Sequence, residues 1–284
     1  MYRIAKKRFL NPTVVEMNIE APLVAKKALP GQFIILRVDE NGERIPLTVA
    51  GTDADNGTVK IIFQVVGATT TALSYKEEGE YIQDFAGPLG VASKLDSLKK
   101  VCIVGGGVGC AIAMPIAEKL HNMGAEVTSI IGFRNKDLVI LEDEFRSFSD
   151  KLHIMTDDGS YERQGNVTMP LKEILESGET FDEIITIGPL IMMKFVTETA
   201  KPYGVPVTVS MNPIMIDGTG MCGGCRLVLN VDGKQVTKFA CVDGPDFNGY
   251  EVDFDDAMSR SRMYNDFERH AYEETCNLYK KEVN

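Results

Sequence analysis

One stretch limits the possible folds more than any other. Residues 101–124 read VCIVGGGVGCAIAMPIAEKLHNMG, an apolar run, a glycine-rich turn and then an amphipathic stretch that stops at Gly124. Such a pattern is a strand handed through a tight turn into a helix. The rhythm continues downstream, with strands expected at 126–132, near 153–155, at 183–187 and at 205–211. Helices are expected over LVILEDEFRSF (138–148) and 170–177. Strands alternating with helices make βαβ units and a parallel sheet with right-handed crossovers. Residues 97–212 therefore read as a Rossmann-like α/β domain. Gly105, Gly106, Gly107, Val108 and Gly109 sit where the strand becomes the helix. Glycines there let the backbone approach a pyrophosphate, whose charge rests on the helix N-terminus. As a G-x-G-x-x-G fingerprint the run is imperfect, because Cys110 holds the third glycine position. The acidic residue expected about 20 positions on is not evident, and Arg134 stands where a 2′-phosphate would be held. These residues suit NAD and NADP alike. Asp158, in Asp157-Asp158-Gly159-Ser160, and Gly188-Pro189 follow two further strands. Open α/β sheets bind ligands at such carboxyl ends, so Asp158, Gly188 and Pro189 join the candidates.

The first ninety or so residues have another character. Short β segments at 13–18, 32–38, 44–50 and 58–66 are separated by Pro30-Gly31, Asn41-Gly42 and Asp55-Asn56-Gly57. Regular spacing of this kind favours a small antiparallel barrel, assigned to residues 1–96. The chain of 284 residues is long enough for two domains and a smaller module. Its 30 basic and 41 acidic residues leave a net charge of −11, which repels phosphate backbones and anionic lipid heads. Nucleic acid and membrane are not expected as partners. No apolar run approaches the ~20 residues of a bilayer span. The N-terminus, Met-Tyr-Arg-Ile-Ala-Lys-Lys-Arg, has no long apolar segment of the signal-peptide kind, so a reducing, cytoplasmic setting is expected.

That setting matters for the six cysteines. In a reducing compartment clustered cysteines point to a metal centre before they point to disulfides. Asp217, Cys222, Cys225 and Cys241 reproduce the C-x₄-C-x₂-C…C spacing of plant-type [2Fe–2S] sites, with aspartate in the first position. The glycines between them remove side-chain bulk and allow positive φ, so the loop can wrap an inorganic cluster. Two other uses of the set stay open: structural zinc, and a dithiol redox pair of Cys222 and Cys225. Cys102, Cys110 and Cys276 read as packing residues. Residues 213–250 form the cluster module, with a hairpin turning at Asp232-Gly233. Residues 251–284 form a C-terminal helical tail with Met258, Met263, Phe267 and Ala271 as a partial apolar stripe. With three histidines, no two of them close in sequence, no side chain is assigned an acid–base or other catalytic role.

A barrel, a dinucleotide-binding domain and a plant-type cluster are an electron-transfer chain in order. The sequence resembles the ferredoxin–NADP reductase superfamily. Within it the nearest group holds dihydroorotate dehydrogenase electron-transfer subunits and the small subunits of NADH-dependent reduced ferredoxin:NADP⁺ oxidoreductases. The likeness spans essentially the whole chain. It is carried by GQF at 31–33, GERIPLT at 42–48, VGATT at 66–70, GPLG at 87–90, GGGVG at 105–109, GFRNKDL at 132–138, DDGSY at 157–161, GPLIMMK at 188–194 and NPIMIDGTGMCGGC at 212–225. The resemblance implies that the barrel binds FAD. Arg44, Pro46, Leu47 and Thr48 would contact the flavin, with Thr48 near N5. Phe63, Gln64 and Val65 would run along the ribityl chain and ring, and Thr69 and Thr70 would hold the pyrophosphate. Arg44 stands one residue further from the hydroxyl than the arginine–x–aromatic–serine motif prescribes.

Dihydroorotate-type subunits carry cysteine where this chain has Asp217, which turns the resemblance toward the ferredoxin:NADP⁺ group. It implies FAD, NAD(H) and a [2Fe–2S] cluster here, and an electron-bifurcating heterodimer. Its large subunit would hold a second flavin and 4Fe–4S clusters, reaching ferredoxin and NADP(H) through the complex. The alternatives are a dihydroorotate dehydrogenase electron-transfer subunit or another FAD/[2Fe–2S] reductase, and a non-enzymatic NAD(H)-binding regulator with a zinc site.

Overall fold

The computed structural model describes the backbone of residues 1–282 and side chains up to residue 273. Cys276, read from sequence as a packing residue, lies outside the described side chains. The N-terminal half is built from β1 (Tyr2–Asn11), β2 (Val14–Glu20), α1 (Pro22–Ala25), β3 (Phe33–Arg37), β4 (Arg44–Asp53), β5 (Thr58–Gln64), α2 (Ala68–Tyr75), β6 (Tyr81–Ile82) and β7 (Asp84–Leu89). Its strands run in the order β6-β1-β2-β5-β4-β3-β7, antiparallel throughout, as a nearly closed barrel. Alternation decides what faces inward: Ile19, Leu36, Ile61 and Phe63 are buried in the barrel interior. The turn from β4 to β5 is held by Asp53, whose carboxylate accepts from the backbone and side-chain amides of Asn56 at 2.9 and 2.7 Å. The long strand β1 was not among the expected segments. Its Lys6, Lys7 and Arg8 obscure the apolar alternation, and Lys7 and Arg8 pair with Glu77 and Glu16.

The second half contains β8 (Lys100–Gly106), α3 (Cys110–Asn122), β9 (Glu126–Phe133), α4 (Glu142–Phe148), β10 (Lys151–Thr156), β11 (Arg163–Gln164), α5 (Thr168–Glu176), β12 (Glu183–Ile187), α6 (Leu190–Ala200) and β13 (Val207–Ser210). It ends with the hairpin β14 (Arg226–Val231) and β15 (Lys234–Phe239), then α7 (Ala240–Asp243), β16 (Asp246–Asn248), α8 (Phe254–Ser261) and α9 (Asn265–Glu282). The sheet order is β11-β10-β9-β8-β12-β13-β16, parallel except for β16. Because β8 is followed on one side by β9 and on the other by β12, the order reverses between β8 and β12. Ligands of open α/β sheets bind at that reversal. Among the described residues no helix is long and apolar enough to cross a membrane.

Two expectations from sequence change here. The helix expected over 138–148 begins only at Glu142, after Leu141 in the left-handed region (φ 58°). Glu142, Asp143 and Glu144 then fill the first turn, where carboxylates favour a helix N-terminus. The C-terminal tail breaks after Ser261 into α8 and α9. Phe254 and Ala257 of α8 are buried, but Met263 and Phe267 are exposed, so the expected stripe does not dock as one face. Instead α9 lies along α2 of the barrel. The strand β16 falls within the stretch assigned to the cluster module, yet it completes the nucleotide sheet. Cys225, Leu227 and Cys241 likewise share a core with Val104, Met193 and barrel Phe33.

Candidate functional site

At the reversal between β8 and β12 the structure opens a cleft of about 790 Å³. Gly106, Gly107 and Gly109 line it from one strand end, Gly188 and Pro189 from the other, and Gln64 reaches in from the barrel. The glycines are needed for different reasons. Gly107 has φ +55° with open space around it, a backbone state that side chains disfavour. Gly109 has an ordinary helical φ of −58°, but a Cβ there would stand 2.4 Å from the Ile187 carbonyl oxygen. Its bare backbone is what lets the start of α3 cross the end of β12. At Gly106 the constraint is the Met192 sulfur, 2.3 Å from where a Cβ would be. Such a bare turn at a helix start suits an anionic diphosphate. Gly105 lies one residue behind the cleft wall, packed on the Cys110 sulfur.

Arg134 lines the cleft, and so does Asp157, but Asp158 does not. The Asp158 carboxylate instead accepts from the Ser160 amide at 2.9 Å. The hydrogen bonds from Ser160 hold it below the usual carboxylate range. The carboxylate in the wall is therefore its neighbour, at the position directly following β10. Asn212 and Met192 also line the cleft without having been singled out from sequence. Asn212 opens the NPIMIDGTG motif, which was the available signal.

The flavin candidates lie along β4, β5 and the start of α2. Pro46, Leu47 and Thr48 are half-buried, and Thr48 stands opposite Phe33, whose other neighbour is Leu89. Arg44 is exposed and has no ion pair among the described residues. Gln64 and Val65 are half-buried. Phe63 is different: its ring is 2% exposed inside the barrel core, so only its backbone remains for a ligand. A strand's alternation forces this once Gln64 faces the cleft. The Thr70 hydroxyl accepts from the amides of Val66 and Gly67 at 3.1 and 3.0 Å, fixing the first turn of α2 beside Thr69.

The cysteine loop packs directly on the barrel. A Cβ on Gly218 (φ +74°) would stand 2.6 Å from Leu89 Cδ1 and 2.9 Å from Ile35 Cδ1. Asp217 closes the loop by accepting from the Thr219 amide through Oδ1 and from the Cys222 amide through Oδ2, both at 2.7 Å. The Thr219 and Cys222 amides hold its carboxyl below the usual range. The buried sulfurs of Cys225 and Cys241 lie 3.2 Å apart. Burial, followed by contact with Cys225, pushes the Cys241 thiol up to about 12. Cys222 is exposed, and its sulfur accepts from the Gly224 amide at 3.5 Å. The four groups thus fall into two pairs. Among the described residues no three such side chains gather around one point, as a zinc ion would require. A binuclear cluster takes two ligands at each iron, and its sulfur shell needs amide donors. Three thiols and a carboxylate in two pairs, on a glycine-rich loop whose Gly224 amide donates to a cysteine sulfur, fit that group.

Comparison with known proteins bears on each part. Residues 212–253 match the iron–sulfur cluster binding domain of dihydroorotate dehydrogenase B. The chain is 47% identical over 270 residues to a dihydroorotate dehydrogenase B (NAD⁺) electron transfer subunit homolog of Thermotoga maritima, covering 95% of this chain and 94% of that protein. It is 34% identical over 256 residues to the dihydroorotate dehydrogenase B (NAD⁺) electron transfer subunit of Geobacillus thermodenitrificans, covering 88% and 96%. Among solved structures it resembles a chain from work on flavin-based electron bifurcation by the NADH-dependent reduced ferredoxin-NADP oxidoreductase. That match has a TM-score of 0.89 and 44% identity, over 96% of this chain and 97% of the other.

Proposed function

The chain belongs to the family of dihydroorotate dehydrogenase B electron-transfer subunits and their homologues, and from that premise we propose that it serves an electron-bifurcating NADH-dependent ferredoxin:NADP⁺ oxidoreductase. It is an oxidoreductase subunit of the ferredoxin-reductase fold. Bound together, NAD(H), FAD and the [2Fe–2S] cluster supply a hydride exchange followed by single-electron exchange. The protein's own residues bind, orient and exclude water.

The observation that carries this reading is the single cleft in which the glycine turn of β8, Gly188-Pro189 and the barrel's Gln64 face one another. Gly106, Gly107 and Gly109 take the nucleotide pyrophosphate on the N-terminus of α3, with Val108 between them. Arg134 and Asp157 hold the adenosine end, and Gly188 and Pro189 leave room for the nicotinamide beside the barrel. Thr48, Pro46 and Leu47 form the flavin face, with Gln64, Val65 and the backbone of Phe63 at its flank. Arg44, Thr69 and the first turn of α2 take the flavin's phosphates. Asp217, Cys222, Cys225 and Cys241 would hold the [2Fe–2S] cluster, which would supply single-electron exchange. No acid–base side chain is required, since hydride transfer between a nicotinamide and a flavin rests on placement.

The homologues' description as electron-transfer subunits implies a partner subunit. We assign that role to a large subunit with its own flavin and 4Fe–4S clusters, through which ferredoxin and NADP(H) are reached. The complex is placed in the cytoplasm. Asp217, where dihydroorotate-type subunits carry cysteine, favours this partner over a dihydroorotate dehydrogenase. The test is anaerobic purification followed by visible spectroscopy and metal analysis. Flavin bands that bleach with NADH, together with two irons per chain, are expected. Zinc without flavin overturns the reading.

A further inference from the structure

Barrel, nucleotide sheet and cluster module meet at one carboxyl. Asp246 begins β16, and its partner in the antiparallel ladder is Ser210 at the end of β13. Its Oδ2 accepts a hydrogen bond from the Ser93 hydroxyl at 2.5 Å. Ser93 lies in the segment that leaves the barrel, and its own amide donates to the Pro30 carbonyl at 3.0 Å. Two residues earlier, the Val91 amide donates to the Gly244 carbonyl at 2.7 Å. The barrel leaves room for this approach at Gly31, where a Cβ would stand 2.2 Å from the Ser93 oxygen. Ser210, across the ladder, lines the nucleotide cleft.

The chemistry of the carboxyl is unusual. Its Oδ1 is buried without a hydrogen-bond partner, and among the described residues no Lys, Arg or His is paired with it. The charge of Asp246 is felt by another carboxyl, Glu183 on β12, which is hydrogen-bonded by Thr208 and raised mainly by burial. Burial raises Asp246 above the usual carboxylate range, against the opposing effect of Ser93 and Ser210. A buried carboxylate with no paired cation is costly, whereas a neutral carboxylic acid both accepts and donates.

We propose that Asp246 is a positioning residue, a latch that fixes the barrel's exit segment to the edge of the nucleotide sheet and so sets the barrel's distance from the cleft. It acts as a neutral acid, accepting from Ser93 and donating toward Ser210. The proposal rests on the reading of the cleft as the place where nicotinamide meets flavin. Its consequence is a separation of kinetic parameters. Gly106, Gly107, Gly109 and Gly188 all lie on the sheet side, so loosening the latch leaves nucleotide binding intact. Moving the barrel changes the approach of the reacting groups, on which the rate depends steeply.

The test uses the anaerobically purified holoprotein and the variants Asp246→Asn, Asp246→Ala and Ser93→Ala. Flavin reduction by NADH is followed in single turnover, with KM and kcat measured against a soluble electron acceptor. Asp246→Ala and Ser93→Ala are expected to lower the reduction rate about tenfold with KM within about twofold of wild type. Asp246→Asn, which keeps an acceptor for Ser93 and puts a neutral N–H donor where the acid's O–H would stand, restores the rate. A raised KM with an unchanged rate overturns the proposal, as does an Asn variant no better than Ala. Thermal unfolding against pH gives a readout independent of nucleotide chemistry. A raised folded-state value means that stability is greatest at low pH and is lost as pH rises above the ordinary carboxylate range. Wild type should therefore lose stability relative to Asp246→Asn over that rise, and parallel curves overturn the neutral-acid assignment. A wild-type flavin that NADH fails to reduce refutes the functional reading, while the unfolding curves still decide the latch.

Discussion

Replacing Gly109 with alanine separates two explanations of the glycine turn. If glycine is needed there for backbone freedom, Ala should be harmless, because φ −58° suits any residue. The geometry says otherwise. The added Cβ would stand 2.4 Å from Ile187 O and 2.8 Å from Gly188 Cα, both backbone atoms that no rotamer change can move. An ordinary contact begins near 3.4 Å, so α3 and the end of β12 must part by about 1 Å. Overpacking of this kind costs about 1–3 kcal/mol. The gain in helix propensity from Gly to Ala returns at most about 1 kcal/mol. A net loss of about 1 kcal/mol lowers Tm by roughly 2–4 °C for a protein of this size. The same displacement opens the cleft floor, and NADH should bind about tenfold more weakly, equivalent to about 1.4 kcal/mol. Gly107→Ala is the internal comparison. Its φ of +55° imposes about 1 kcal/mol of strain, but no neighbour obstructs the new methyl. Differential scanning calorimetry and NADH titration, each on both variants, check the ordering. A Gly109→Ala protein with wild-type Tm and NADH affinity refutes the argument that contact with Ile187 sets the turn.

Other outcomes follow from the two binding regions and the thiols. Asp217→Cys should retain a [2Fe–2S] centre with an altered potential and EPR signal, and an unchanged spectrum and potential would remove Asp217 from the ligand set. In the metal-free protein an alkylating reagent should modify the exposed Cys222 rapidly and spare Cys102 and Cys110, whose thiols burial pushes well above the usual range. Mass spectrometry showing Cys102 or Cys110 labelled in the folded protein would contradict that. Arg44→Ala should weaken FAD retention on gel filtration without changing Tm of the flavin-free protein, since its exposed guanidinium makes no ion pair among the described residues. Equal flavin content in wild type and variant would exclude a phosphate contact at Arg44.

Much of this molecule is legible residue by residue. The alternation of apolar strands and amphipathic helices after Lys100 is a local property, and so is the Asp232-Gly233 turn, whose two positive φ values of 50° and 75° join β14 to β15. Reading becomes unreliable where one position decides direction. Asp157 and Asp158 are chemically identical neighbours, but the Asx turn to Ser160 occupies the second and leaves the first to the cleft. Phe63 sits in a stretch with the right composition for a flavin wall, yet the pleat turns its ring into the barrel.

By itself the amino-acid sequence determined the two architectures, their order, the glycine turn and the ligand spacing, because each depends on contacts within a few residues or on a fixed periodicity. Only the tertiary structure decided that a barrel glutamine shares the nucleotide cleft, that Gly218 seats the cysteine loop against Leu89, and that Asp246 ties Ser93 to the edge strand beside Ser210. Those groups are brought together across as many as 153 residues of chain. Packing of whole sheets, and not any local preference, sets such distances.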